Sequence, residues 1–371
     1  MLEVRVARSI HEVGRGAWDA CFEGRLEAYD YLAAVEAAAL PGFEQRYVAV
    51  VRAGRVLAAA PIFITDYPLD TTLNGARRRL VRELRRIAPR ALTLRLACLG
   101  SPCTEDVGAG FAPQATPAHR AHLLTALTAA FEREAAQAGC WLLGVKDAPE
   151  PQAELWRALA DQRGYQAVPG LPGAELAIDF ADMDGYLARL SPGVRRDMRR
   201  KLRTLERLRI AISDDLGGLE GRVLELYRQT RARSELQFEE LNEAYFTGVL
   251  RAMPGRAFCV LYFADDELIG VNLLLQDGET LLDKFFCMES VRGPAHSLWF
   301  ISWFTNVRLC LERGLRLYRS GQGAYADKLR LGCRLVGAQM YYRHRRPLFD
   351  RALKWAAPRL ADDPVGSACG R

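Results

Sequence analysis

The chain has 371 residues, half of them apolar, with 51 lysines and arginines against 45 acids, nine cysteines and five histidines. That length allows two or three domains with sizeable cores, and no apolar run approaches the ~20 residues a membrane-spanning helix needs. The cysteines lack Cys-x-x-Cys spacing and the histidines do not cluster with them, which argues against a zinc site or a disulfide framework. Met1–Arg8 has no apolar signal core, so a cytoplasmic protein with reduced thiols is expected. The net charge of +6 is local: Arg195–Arg209 holds eight basic residues against two acids, and the remainder balances.

In chain order, Leu2–Ala7 predicts a strand and residues 11–20 and 27–39 two short helices. Arg46–Arg52 and Arg55–Ile64 flank Ala53-Gly54 and predict a hairpin. Arg77–Arg90 predicts an amphipathic helix, Leu92–Leu99 a strand, and Gly100–Pro117 a Gly/Pro/Ser-rich loop. Residues 118–138 carry helical apolar spacing up to Gly139. Cys140–Lys146 predicts a strand, and residues 152–163 a helix stopped by Gly164.

The second half repeats this order. Residues 181–190, the basic run 194–209, Leu219–Arg233 and Glu240–Met253 predict helices. Ala257–Phe263, Leu268–Leu275 and Thr280–Cys287 predict strands joined by tight acidic turns. The loop Ser290–Ser297 leads to a long helix ending at Gly314, then a strand over Leu315–Tyr318. Gly321 and Gly323 break that strand, a short helix follows over residues 324–331, and Val336–Arg343 predicts a last strand. A strand that stops at glycines and feeds a helix exposes backbone N–H groups, and Lys328 adds a cation nearby. A boundary near 178 is expected, giving units 1–178 and 179–371, with the reactive site in the second.

Antiparallel strands, a loop, a helix, a parallel strand and a second helix resemble the GNAT acyltransferase fold. Two such units in one chain resemble the tandem arrangement of Fem-type peptidyl transferases. The segment from His296-Ser-Leu-Trp through Arg319-Ser-Gly-Gln-Gly to Lys328 and Gly332 is similar to the end of GNAT-like peptidoglycan- or cellulose-biosynthesis acetyltransferases. The resemblance implies an α/β (α+β) fold of two tandem GNAT-like domains, each a mixed, mostly antiparallel sheet flanked by helices. It implies acyl transfer with no tightly bound cofactor, the co-substrate being acyl-CoA or an acyl-phosphopantetheine. By that likeness the donor lies along Leu281–Met288, and Arg292, Gly293 and Ser297 form the phosphate loop. The Gly321 and Gly323 loop lies beside the ligand. The loop before the long helix departs from the family's glycine-rich phosphate signature, holding one glycine in Arg292–Ser297.

Acyl transfer needs alignment, a donor for the developing oxyanion and a proton acceptor, but few reactive side chains. Asp283 and Lys284 are adjacent in a strand and face opposite ways; for Asp283, a general base and an exposed edge position both fit. Glu289 is a second base candidate or a solvated turn residue. His296 fits a phosphate contact, a base or a packing residue, and Ser297 fits a helix N-cap. Lys328 fits a counter-ion for a phosphate or carboxylate, a catalytic group near the reacting carbonyl, or a surface lysine, and Tyr325 an oxyanion donor or a core residue.

The basic run resembles the helix that opens the second unit of Fem-like proteins. Its charge suits an RNA backbone, an acidic acyl carrier protein, coenzyme A phosphates or plain solvent. Three readings follow. The first is transfer from acyl-CoA or acyl carrier protein to an amine or hydroxyl of a small metabolite or sugar. The second is a Fem-like transferase using aminoacyl-tRNA, and the third an inactive tandem-GNAT binding module. No DNA and no membrane span are expected.

Overall fold

The computed structural model describes residues 2–22, 25–68, 93–234 and 238–360. In the first half, β1 (Glu3–Ala7) precedes three short helices, α1 (Ile10–Val13), α2 (Arg15–Phe22) and α3 (Tyr29–Ala37). The hairpin β2 (Phe43–Arg52) and β3 (Arg55–Pro68) follows, then β4 (Thr93–Leu99), the short β5 (Gly110–Phe111), α4 (Pro117–Gln137), β6 (Leu142–Pro149), α5 (Ala153–Arg163), β7 (Gln166–Pro169) and β8 (Gly173–Ala177). The second half runs α6 (Met183–Arg189), α7 (Pro192–Leu202), β9 (Arg209–Ser213), α8 (Glu220–Arg233), α9 (Glu243–Ala252), β10 (Ala257–Ala264), β11 (Glu267–Asp277) and β12 (Thr280–Met288). It ends with α10 (Arg292–Ala295), α11 (Leu298–Glu312), β13 (Leu317–Arg319), α12 (Tyr325–Arg330), β14 (Arg334–Val336), β15 (Ala338–His344) and α13 (Pro347–Leu360). The helix expected over Arg77–Arg90 lies outside the described residues.

Local chemistry accounts for most of these boundaries. Ala53 and Gly54, with φ of 51° and 77°, form the positive-φ link that lets β2 and β3 twist together, and Asp265 and Asp266 do the same between β10 and β11 at 48° and 61°. Helix α4 starts at Thr116, whose side chain accepts from the His119 amide, with Pro117 at the first helical position. Gly164, left-handed at φ 73°, closes α5. The basic run differs from expectation at its end. It is helical over Pro192–Leu202 and continues as a 3-10 turn over Arg203–Arg207, but Arg209 already begins β9. The cause is that Ile210 and Ile212 pair with Tyr262 and Val260 at the sheet edge.

Two mixed sheets result. One has the order β1-β2-β3-β4-β6-β15-β7, with β5 on β3; the other is β14-β8-β13-β12-β11-β10-β9. In each, an antiparallel meander leads to one parallel pair bridged by a helix: β4 with β6 across α4, and β12 with β13 across α11. The strand beyond each parallel pair comes from the other half of the chain. β15 lies antiparallel to β6 in the first sheet, and β8 lies antiparallel to β13 in the second. A cut near residue 178 therefore leaves one strand of each sheet on the far side.

Three apolar layers hold the sheets. One packs α4 and α5 on the outer face of the first sheet, and one packs α6 and α11 on the outer face of the second. The third is shared: α3 and β2 of the first half pack with α8, α9, β10 and β11 of the second. Tyr31 and Tyr245, both fully buried, meet there at 3.0 Å between hydroxyls, and the Tyr31 hydroxyl also donates to the Cys103 carbonyl. No helix among the described residues is long and apolar enough to cross a membrane.

Gly270 of β11 is where the sheet meets the start of α11. A Cβ there would sit 2.4 Å from Leu298 Cδ2 and 3.3 Å from the Cys287 carbonyl, and Leu298 is fully buried. Gly270→Ala is expected to lower stability by about 1–3 kcal/mol through overpacking, measured as a fall in urea midpoint at constant slope.

Candidate active site

The second sheet has an opening, and its cause is a choice of hydrogen-bond partner. β13 pairs with β12 only over Leu317–Arg319, opposite Thr280–Leu282. On its other edge the same residues pair with β8. That second partnership goes on: the Ser320 amide donates to Ala174 O at 3.0 Å and the Ala174 amide to Gly321 O at 3.1 Å. The chain thus follows β8 and leaves β12, whose residues 283–288 have no strand on that side. Gly321 and Gly323, at φ 67° and 80°, make the departure in the left-handed region.

Lys328 fixes this loop. Its buried ammonium donates to the carbonyls of Ser320 at 2.7 Å, Gly321 at 3.2 Å and Gln322 at 3.3 Å. The Tyr325 hydroxyl, behind it, donates to the Pro172 carbonyl at 3.0 Å. Burial lowers the Lys328 pKa from its ordinary value, with the Asp283 charge opposing.

Burial along the strands marks where the opening lies. Every residue of β10 is buried, as are Leu268–Leu275 of β11, whereas Asp283–Phe286 of β12 are only half-buried. A bulge falls here: Leu273 faces Phe285 and Leu274 faces Asp283, so Lys284 is the extra residue. Lys284 reaches the loop before β5 and pairs with Glu105 at 2.7 Å. Burial opposes the charged form of Glu105, but Lys284 and Lys146 outweigh it and hold that carboxyl down to about 2. Arg319 joins the same seam, 3.4 Å from Asp106 and 3.5 Å from Glu175.

Asp283 occupies the other face. Its Oδ2 accepts from the Tyr318 hydroxyl at 2.8 Å and from Asn306 Nδ2 at 3.2 Å, and Asn306 also bonds Tyr318 at 2.9 Å. Burial pushes the Asp283 carboxyl up to about 6, against the pull of the Tyr318 hydroxyl and the Lys328 charge. The fully buried Asn272 shares this face and has neither amide atom in a hydrogen bond. Asn306 Oδ1, the Tyr262 hydroxyl and Ser320 Oγ are likewise unpaired. An unpaired buried polar group costs about 1–3 kcal/mol, so the site carries hydrogen-bonding capacity that the protein does not use on itself.

The remaining predicted residues lie beyond the end of β12, roughly 17 Å along the strand from Asp283 at ~3.3 Å per residue. Arg292 is committed to acids, bonding Glu289 at 2.9 Å and also Glu267. Glu289 also pairs with Arg222 at 2.8 Å, and the Arg292 and Arg222 guanidinia lower its pKa, so it is no free base. Gly293 is a packing residue: a Cβ there would lie 2.8 Å from Met288 Sδ. Ser297 stands at the start of α11 at φ 55°, but the expected capping bond from its side chain is not formed. His296 is half-buried and is held through its backbone carbonyl, which accepts from Thr204 Oγ1 at 2.6 Å. A hollow of about 630 Å³ nearby is lined by Arg222, Glu225, Glu267, Glu289 and Arg292, charges paired largely with one another.

Asp283 and the Gly321 loop are therefore brought together; a Cβ on Gly321 would lie 3.8 Å from the Asp283 carbonyl. Lys328 and Tyr325 support that loop from behind. Tyr318, Asn306, Asn272 and Glu105 were not singled out by sequence reasoning. Asn306 alone left a signal, as a polar residue in the middle of an apolar helix face.

Residues 192–329 match the family described as acetyltransferase (GNAT) domain. No curated protein matches the chain. Among solved structures, FemX is similar over 95% of this chain and 100% of its own, at 14% identity and TM-score 0.59. A tandem GNAT protein from the clavulanic acid biosynthesis pathway, solved without AcCoA, is similar over 93% of this chain and 99% of its own, at 14% identity and TM-score 0.54. L-PGS from Bacillus licheniformis covers 90% of this chain and 95% of its own, at 11% identity and TM-score 0.51. At these identities the likeness is one of fold, two GNAT-like units in one chain.

Two stability outcomes follow from the site. Lys328→Met strips the cation from three carbonyls and is expected to cost about 2–3 kcal/mol in urea unfolding. Asp283 keeps its proton to higher pH folded than unfolded, since about 6 exceeds the ordinary carboxylate value of ~3.9. Its contribution is therefore fullest below pH 4 and lost as pH rises through 6. Wild-type stability is expected to fall across that window by up to about 3 kcal/mol relative to Asp283→Asn. Parallel pH dependences of the two proteins would refute the assignment.

Proposed function

We propose that this chain is a tandem-GNAT acyltransferase that takes its acyl group from a pantetheine thioester and passes it to an amine or hydroxyl of a small metabolite or sugar. The observation that carries the reading is the parting of β12 from β13 beyond Leu282 and Arg319, beside the Asp283 carboxyl, which burial pushes up to about 6. A long, thin donor fits along the free edge of residues 283–287, which Thr230 and Arg233 close at Met288. Backbone direction alternates along a strand. The Glu289 amide faces β11, bonding Ile269, and the Met288 amide faces the open side, bonding Thr230 Oγ1. Alternation then turns the Phe286 N–H to the open side, where it can hold the thioester carbonyl oxygen as it gains charge.

Asp283 takes the proton of the acceptor. As the acceptor nitrogen or oxygen bonds to the carbonyl carbon, the carbon–sulfur bond breaks and the sulfur leaves as thiolate, which takes up a proton from solvent while Asp283 releases the acceptor's proton to solvent. A carboxylate with a pKa near 6 is ionised at pH 7 yet basic enough to help. Tyr318 and Asn306 hold its Oδ2 and leave the other oxygen for the acceptor. Lys328 and Tyr325 act by fixing the glycine loop that forms the second wall of the opening.

The test is thiol release from acetyl- to decanoyl-CoA and the matching acyl-phosphopantetheines, with a panel of amine and sugar acceptors. Wild-type protein should release thiol in an acceptor-dependent way, with a kcat/KM profile that falls below a pKa near 6. Asp283→Asn should lower kcat by about 10²–10⁴, leave KM within a few-fold and erase that acidic limb, with folding intact. Product formed from charged tRNA without thiol release would replace this reading with aminoacyl-tRNA chemistry. Full activity in Asp283→Asn would remove Asp283 from the reaction.

A further inference from the structure

The basic run is amphipathic in a way that its composition conceals. Met198 is buried, Val194, Leu202 and Leu205 pack on the second sheet's outer core, and the arginines lie opposite. Arg195 bonds the Ala188 carbonyl, Arg200 and Lys201 pair with Asp197, and Arg209 pairs with Asp266. Arg196, Arg199, Arg203 and Arg207 are exposed and have no ion pair among the described residues. Arg196, Arg199 and Arg203 are three and four residues apart, so they form one stripe along the helix, roughly 10 Å long at ~1.5 Å per residue, and Arg207 adds its charge from the 3-10 turn that follows.

The stripe is fixed beside the mouth of the opening. Thr204 Oγ1 bonds the His296 carbonyl, Lys201 lies 3.3 Å above the Phe300 ring, and Arg330 of α12 is 3.7 Å from Asp197. The helix thus spans from the loop before α11 to the helix behind the glycine loop. At the end of the stripe lies an apolar groove of about 210 Å³, lined by Leu205, Ile210, Ile212 and Phe304, with Ile212 51% exposed.

We propose that this stripe and groove dock the acidic, amphipathic helix of a small acyl carrier protein, which delivers its phosphopantetheine arm into the opening. The proposal builds on the thioester reading of that site and names the form in which the donor arrives. Three observations select this partner. The loop from Glu289 to Ser297 offers poor accommodation for a nucleotide diphosphate: Arg292 is spent on two glutamates, Gly293 is packed on Met288 and Ser297 makes no cap. Four unpaired guanidinia, three along one helix face and one on the 3-10 turn after it, exceed what one phosphate needs and suit a helix bearing several acids on one side. The rest of the chain is neutral, so no broad positive surface for a tRNA extends the stripe, and no aromatic residue interleaves with it for stacking on single-stranded bases.

The experiment titrates a fluorescently labelled holo-acyl carrier protein with wild-type enzyme, Arg199→Glu/Arg203→Glu and Arg199→Lys/Arg203→Lys, and repeats the titration with labelled total tRNA. Carrier binding should weaken at least tenfold in the glutamate pair, be kept in the lysine pair and fall steeply with salt. Thiol release from acetyl-phosphopantetheine should be the same in all three. Carrier binding that is absent or indifferent to the glutamate pair overturns the proposal, and so does tRNA binding that is tighter than carrier binding and lost in that pair. Arginine-dependent carrier binding without any thiol release would support the docking surface while defeating the thioester reading of the site.

Discussion

A β-strand has two edges, and the site exists because β13 follows only one of them past Arg319. The bonds from Ser320 and Gly321 to Ala174 extend the pairing with β8, and the glycines supply the backbone angles that this path needs. The first sheet shows the alternative. There β4 ends at Leu99, still paired with Val145, and the Gly100 amide turns to the Pro61 carbonyl. The returning loop then bonds β6 through the Val107 amide and Asp147 carbonyl. Among the described residues, that loop occupies the side of β6 that β4 leaves. Two units with the same order of elements thus differ in what they can admit.

The seam between the units sets two nearby carboxyls to opposite states. Glu105 faces the cations Lys284 and Lys146 and stays ionised far below neutrality. Asp283 faces mainly neutral donors, Tyr318 and Asn306, and its burial is less compensated. The bulge at Lys284 makes this possible, because it turns the lysine toward Glu105 while Asp283 keeps to the face of α11. A lysine and an aspartate adjacent in sequence therefore serve different surroundings, and separated environments of this kind are how one site holds both a fixed charge and a titrating group.

Local chemistry made much of this legible. Gly54 marked one tight hairpin and Asp265 with Asp266 another, residues that tolerate positive φ, and the glycine break after Tyr318 was visible from two glycines at the end of an apolar run. Asp283 stood out as an acid in an apolar strand. What stayed hidden was non-local. Gly173–Ala177 is five residues with little apolar pattern, and only its pairing with β13 makes it a strand. β9 was masked by the arginines before it. Lys328 looked like a reactive cation because its partners are backbone carbonyls, which leave no mark in a side-chain pattern. Arg292 looked free for phosphate because Glu267, which neutralises it, is 25 residues away. Tyr318 and Asn306 converge on Asp283 from positions 35 and 23 residues distant, a meeting that only the fold specifies.

The reciprocal exchange of β8 and β15 also governs when the molecule can be completed. The first sheet receives the strand between β6 and β7 from residues 338–344, so its far edge stays unclosed until those residues have been made, well after β6. Such contacts, across about half of the 371 residues, slow the search for the native arrangement. During synthesis the nascent N-terminal half would carry an uncovered strand of Leu142–Val145, an invitation to pair with a neighbouring chain.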